Sequence, residues 1–526
     1  MFKDNISSKH KTFLVFLMAG MALLIHSSDN ISSSFFKAYS QISSFEEPSS
    51  LMPQTETVTS YYDALLKVPL IISQTAIVGV VFSHIFFQRV IRNKFQLNSN
   101  RNNNRTKIVD DVSSYLRPLK RLFIILLSCG TAMLLSSTSL FLLQAFSLSS
   151  ELSMDPSTTF TILSATPVGP VWNIRVITSL IIIASSILYY ILEKKFYTKK
   201  DQADLDSNDS NYSSSSRKKI GKKGRVLLSN SLLYIAMLAG AVSIFSNSMV
   251  SHNTALSFLP SLAISIDWFH FMAVSMWLGG LFYISSILLM RIKLLVRKRS
   301  NNIDRTLSRS SDVNIIHITS YFLALLLPYF SLIATISLGI IGVTGLYMAW
   351  IHLHTAEAIF TSPYGNILSI KLLLILPMVI LGGYHQIRLH GSLMTVASLK
   401  GKQEQQGEKI NTHDMDPPHD HKTNPFPLQY DPSGKFSKTI KIESLIGIGV
   451  LVAASFLTIT SPPSISLEES MSTQSSSGEG DNVPSFDSFT VLAIILSLAV
   501  IFGSFIYFKK SKQQVRNTIT YIEDKR

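Results

Sequence analysis

Residues 267–281 read DWFHFMAVSMWLGGL and lie inside an apolar run from about Leu262 to Met290. Asp267 and His270 are three apart, so on a helix they share a face. Val274 and Trp277 continue that face. Met272 and Met276 fall roughly opposite, where a thioether serves as packing. An ionisable pair is costly inside lipid and marks a functional site by default. The bland alternative is a hydrogen bond that only joins two helices. On either reading a run this long and apolar is a membrane-spanning helix, and that decides the fold class.

The rest of the chain agrees. Of its 526 residues 47% are hydrophobic and only 15% charged, and the mean hydropathy is +0.29. That is the composition of an all-α, polytopic membrane bundle. The net charge of +14 raises nucleic acid as a partner. Its distribution argues against one, because Lys and Arg collect in alternate loops between apolar runs, the positive-inside pattern. The single cysteine, Cys129, lies in an apolar run, excludes an intrachain disulfide and reads as a small buried hydrophobe.

Ten apolar runs are expected to cross the bilayer: about 12–25, 64–88, 122–146, 171–192, 226–249, 262–290, 321–350, 366–387, 442–460 and 488–508. The first is short, and reads as a signal peptide or an uncleaved span within residues 1–26. If it is retained, both termini are cytoplasmic, since every basic loop then falls on one side. The implied organisation is an external polar loop at 27–62, a membrane half at 63–250 and a second half at 262–463, which carries a His-rich loop at 391–439. An external acidic loop at 464–486 follows, then a last span and basic tail at 487–526.

Two segments match across the halves. Thr166-Pro167-Val168-Gly169 precedes Arg175, and Ser362-Pro363-Tyr364-Gly365 precedes Lys371, each with the basic residue six positions after the glycine. Both open a span running inward. The second copy falls four spans after the first, so orientation is preserved and two parallel four-helix repeats are suggested.

Several metal-binding side chains fall toward the external ends of their spans: Met249, His252, His270, Met348, His352 and His354. Thioether with imidazole is a ligand set that suits copper, the thioether favouring Cu(I). Asp267, Lys371, Arg175 and Glu357 lie at similar depth as supporting charges. Asp267 either orients His270 or neutralises Lys371 or Arg175. At the other end His84 and His385 are intramembrane histidines, a geometrically allowed pair of haem ligands. The loop HDMDPPHDH holds His413, His419 and His421, a weak metal loop or a solvated linker. The chain has neither a phosphate-cradling G-x-x-x-x-G-K-[ST] loop nor a Cys-x-x-Cys motif.

These stretches resemble the copper resistance protein D (CopD) family. The resemblance rests on the D-x-x-H and W-x-G-G-L pattern of Asp267, His270, Trp277, Gly279, Gly280 and Leu281. It includes Thr344-Gly345-Leu346 leading to His354, Tyr364-Gly365 with Lys371, and Glu443 opening a later helix. Thr166, Gly169 and Arg175 match an upstream element. Ser251-His252-Asn253 departs from the family's G-H-A at its first and third positions. The likeness spans roughly 162–463.

The resemblance implies a non-enzymatic protein of the cytoplasmic membrane that takes copper at the external face and moves it across. It also implies a small periplasmic copper-binding partner. Residues 27–62 are too short to supply that domain, so a separate protein is the expected donor. A haem-binding electron-transfer protein and an accessory subunit of a membrane copper enzyme are the alternatives.

Overall fold

The computed structural model of the protein describes residues 56–99, 119–166, 168–205, 215–251, 260–290, 308–353, 355, 357–385, 388 and 432–464. All regular structure among them is helical: α1 (Glu56–Ser99), α2 (Leu119–Leu152), α3 (Pro156–Ala165), α4 (Val168–Leu205), α5 (Ser215–Ser248), α6 (Pro260–Tyr283), α7 (Ser308–Leu353), α8 (Ala358–Thr361), α9 (Pro363–Tyr384) and α10 (Pro432–Leu457). A π-helical segment, Ile284–Leu288, continues α6.

Eight of the described helices, all but α3 and α8, are long and apolar enough to cross a membrane. They coincide with eight of the ten runs expected from hydropathy. The runs at 12–25 and 488–508, the acidic loop from residue 465 onward and both termini lie outside the described residues.

Helix ends differ from the hydropathy reading for a simple reason. α1 has 44 residues and α7 has 46, whereas a hydrocarbon core about 30 Å thick needs about 20. Both helices therefore continue past the apolar stretch. α10 likewise starts at Pro432, inside the loop expected at 391–439. Its first turns carry Lys435, Lys438 and Lys441, which form helix well but are invisible to a hydropathy window.

The short helices α3 and α8 stand where plain loops were expected. Asp155 caps α3 by accepting from the Ser157 amide, with Pro156 in the first turn. Ser362 closes α8 by donating to the Ala358 carbonyl at 2.6 Å, then opens α9 by accepting from the Gly365 amide at 2.9 Å. Thr166 acts similarly at the end of α3, donating to the Leu163 carbonyl at 2.7 Å. The two matching glycines face the same constraint. A Cβ on Gly169 would lie 2.1 Å from the Ser164 carbonyl oxygen, and one on Gly365 would lie 2.2 Å from that of Ala358. The shared motif is thus a turn in which a spanning helix starts against the backbone of a short one.

The bundle is organised on α1 and α6. α1 packs on α2 and α5, and α6 packs on α7, while α10 touches α1 and α5 touches α6. α1 and α6 cross glycine on glycine. A Cβ on Gly79 would lie 1.8 Å from the Ser275 carbonyl oxygen, and one on Gly279 would lie 2.4 Å from the Gly79 Cα. Small residues permit that backbone approach, the usual basis of helix association in lipid. The packing recurs in both halves. Gly240 of α5 lies against Val78, and Gly447 of α10 lies against Leu278. One core joins Leu70, Ile77, Val81, Leu126, Met133, Ile182, Leu233, Trp277, Leu278, Leu281, Met378 and Leu451. Leu135, Leu238, Leu373 and Leu445 are about two-thirds exposed and face outward, where lipid would cover them.

Candidate functional site

The helix ends near Arg89, Lys120 and Arg121 form a basic end of the bundle. The opposite, charge-poor end holds the turns after α2, α5 and α7. Toward that end Asp267 and His270 lie on α6, 6% and 5% exposed. Their spacing of three places both on one helical face, as the sequence suggests.

His270 is held from α7. Its Nδ1 lies 2.9 Å from the Thr344 hydroxyl. That hydroxyl donates its single proton to the Ile340 carbonyl at 2.6 Å. Thr344 can therefore only accept from the ring, so Nδ1 carries the proton and Nε2 keeps its lone pair. The Ile341 carbonyl adds a second acceptor beside the ring. Gly345 makes the seat, since a Cβ there would already lie 3.4 Å from the His270 Cε1. Nε2 is buried and has no hydrogen-bond partner among the described residues. A buried polar atom without a partner is costly unless something occupies it.

The supporting charges sort themselves. Lys371 of α9 is within electrostatic reach of both Asp267 and His270. Ser248 at the end of α5 approaches the Asp267 carboxylate, and Tyr364 at the start of α9 is also within its field. Buried charges need partners, and Asp267 with Lys371 offsets one with the other. Arg175 corrects the expectation that it could neutralise Asp267. Its guanidinium donates to Asn247 Oδ1 at 2.8 Å and to Ser246 Oγ at 3.3 Å on α5. Asn247 in turn donates to Gln74 of α1, which donates to Ser243 Oγ at 2.8 Å. Arg175 is thus bound into the first half by amide and hydroxyl groups, and Lys67 of α1 lies within its electrostatic reach.

The remaining expected ligands are less gathered. His352 is 4% exposed, with its ring 5.9 Å from that of Tyr364, and so borders the same cluster. Met249 and Met348 are partly buried. Glu357 is exposed and sits before α8. His252, His354, His413, His419 and His421 lie outside the described residues. Among the described residues no three His, Cys, Asp or Glu side chains come together as a metal-holding group.

The histidines at the basic end are both turned to protein groups. His84 Nδ1 lies 3.3 Å from the Tyr283 hydroxyl and Nε2 lies 2.9 Å from Gln88 Nε2. His385 Nδ1 lies 3.2 Å from Glu443 Oε2, and Nε2 lies 2.6 Å from Thr439 Oγ1. Neither ring presents a nitrogen to open space, as an axial haem ligand must.

Thr344 and Ser248 were missing from the residues expected at the site. Thr344 was visible only as part of a motif. Its role depends on α7 meeting α6 at His270, which spacing along one helix does not reveal.

Residues 324–412 match the family model described as copper resistance protein D. Over that segment the chain is similar to that family, and its eight long apolar helices make it a multi-pass membrane protein. The matched segment contains Thr344, Lys371 and His385, while Asp267, His270 and Glu443 lie outside it. No curated protein and no solved structure matches the chain.

Proposed function

We propose that this copper resistance protein D family chain takes up copper at its charge-poor end, facing the outside of the cytoplasmic membrane, and passes it inward. The observation that carries this reading is the His270 Nε2 atom, a buried imidazole lone pair whose tautomer is set by Thr344 and which has no hydrogen-bond partner among the described residues. A neutral imidazole nitrogen is a good ligand for copper, and the thioethers of Met249 and Met348, at the same ends of α5 and α7, suit Cu(I). His352 is a further imidazole on this end, His252 and His354 follow α5 and α7 in sequence, and Asp267 balances the Lys371 charge beside the incoming cation. The two halves act as parallel repeats in which the second carries the chemistry. A separate periplasmic copper-binding protein is the donor, and the chain carries its cargo without transforming it.

The test is copper accumulation in cells expressing His270→Asn at wild-type level. Accumulation should fall to that of cells lacking the protein. Unchanged accumulation in a well-expressed variant overturns the reading.

A further inference from the structure

The α1–α6 crossing is reciprocal. A Cβ on Gly79 would meet the Ser275 carbonyl oxygen, and one on Gly279 would lie 3.0 Å from that of Thr75. Thr75 and Gly79 therefore stand to α1 as Ser275 and Gly279 stand to α6. The turn motif matches α4 to α9 in the same way, with Gly169 answering to Gly365 and Arg175 to Lys371. The halves can thus be compared residue by residue, and at one seam they differ.

In the first half α2 and α4 pack along their length. Phe141 stacks on Trp172 with ring centres 4.5 Å apart, a Cβ on Gly130 would lie 2.9 Å from Ile183, and Phe123 stacks on Tyr190 at 4.4 Å. In the second half α7 and α9 meet only at their external ends. There Leu353, Ala358 and Tyr364 cluster with Leu368, the match of Trp172. Among the described residues that seam does not continue inward. Leu372 and Val379 match Val176 and Ile183, yet they are 55% and 39% exposed where Val176 and Ile183 are half-buried. Thr178, Ser179 and Ser186 are buried on α4, while the matching Leu374, Ile375 and Gly382 are only half-buried. The seam also borders the site, since Thr344 of α7 and Lys371 of α9 are half-buried. A lysine at the edge of a lipid-filled seam is costly, so protein is the better filling.

The chain leaves the described bundle at this place. Leu457 at the end of α10 packs into the Leu353–Ala358–Tyr364 cluster. Further on, residues 488–508 are the apolar run that the sequence marks as a last span, with Asp487 before it and Lys509 and Lys510 after. That order starts the run at the charge-poor end and finishes it at the basic end, parallel to α9. On a helix Thr490, Ala493, Ser497 and Ser504 share one face, and small residues let helices approach closely.

We propose that residues 488–508 dock as a helix in the seam between α7 and α9, on the Leu372–Val379 face, and so complete the wall beside Asp267, His270 and Lys371. The last span gives the second half what direct α2–α4 contact gives the first. The docking holds whether or not His270 binds copper.

The test is proximity within the full chain in membranes, with Cys129→Ala as background. Leu372 and Ser497 lie equally far inside the starts of their helices, as do Val379 and Ser504. Parallel helices bring these pairs to common depths of about 13 Å and about 24 Å. Leu372→Cys with Ser497→Cys, and Val379→Cys with Ser504→Cys, are treated with a short bismaleimide, and a protease site placed within residues 465–487 is then cut. The C-terminal fragment should stay joined to the rest of the chain in at least one pair. Release of the fragment from both pairs, although each cysteine alone is labelled by a monomaleimide, overturns the docking. So does equal linking of Ser504→Cys to Leu238→Cys on the lipid face of α5, which shows encounter without a seat. A link that forms only between differently tagged chains gives the seam to a second copy and overturns it as well.

Discussion

The His270 Nδ1 atom lies 2.9 Å from the Thr344 hydroxyl, whose own proton points to the Ile340 carbonyl 2.6 Å away. Two helices and one hydroxyl thereby fix which imidazole nitrogen is free. Thr344→Val keeps the shape and removes the acceptor. Cu(I) affinity should weaken about 10- to 100-fold, as when the partner of a ligating histidine is lost. Competition against a chromophoric Cu(I) chelator measures it, and Thr344→Ser should restore most of the affinity. Equal affinities for valine and wild type mean the hydroxyl does not set the tautomer.

Gly79 and Gly279 are in backbone contact across α1 and α6. Gly79→Ala should destabilise the bundle by about 1–3 kcal/mol through overpacking, read as a lower thermal midpoint in detergent. Gly383 has nothing within 4 Å of a built Cβ, so Gly383→Ala should leave the midpoint unchanged. A midpoint for Gly79→Ala equal to wild type means the helices part at little cost.

Arg175 and Lys371 occupy matching sequence positions but different surroundings. Arg175→Met leaves Asn247 without its charged donor and should lower stability by roughly 1.5–3 kcal/mol, the range for hydrogen bonds to charged groups. Cu(I) stoichiometry should stay as in wild type. Lys371→Met leaves Asp267 unbalanced beside His270 and should change Cu(I) affinity. Isothermal titration of both variants separates the two roles, and loss of Cu(I) binding in Arg175→Met contradicts the assignment.

His84 and His385 have all four ring nitrogens directed at Tyr283, Gln88, Glu443 and Thr439. Protein purified after expression with ample haem should show no Soret absorbance. A stoichiometric Soret band would require both rings to abandon these partners and would reopen electron transfer as a function.

The spans were legible because burial in lipid demands some twenty apolar residues in a row, and nothing else in a sequence looks like that. The Asp267–His270 pair was legible for the converse reason, as an exception inside such a run. Contacts between helices were not. Arg175 and Lys371 look equivalent along the chain, and only packing assigns one to Asn247 and the other to Asp267. The short helix α3 was readable in principle from Asp155-Pro156, a cap followed by a proline.

The glycine crossing has one further consequence. Two helices that touch backbone to backbone at a single level cannot slide there without climbing over carbonyl groups, but they can tilt. His270 is nine residues from Gly279, a lever arm of about 13 Å. A rocking of about 10° at the crossing would carry the imidazole some 2 Å relative to α1, in the range of known hinge and shear movements. Gly79 and Gly279 are thus a fulcrum, and the His270 end of α6 is the arm that it lets swing.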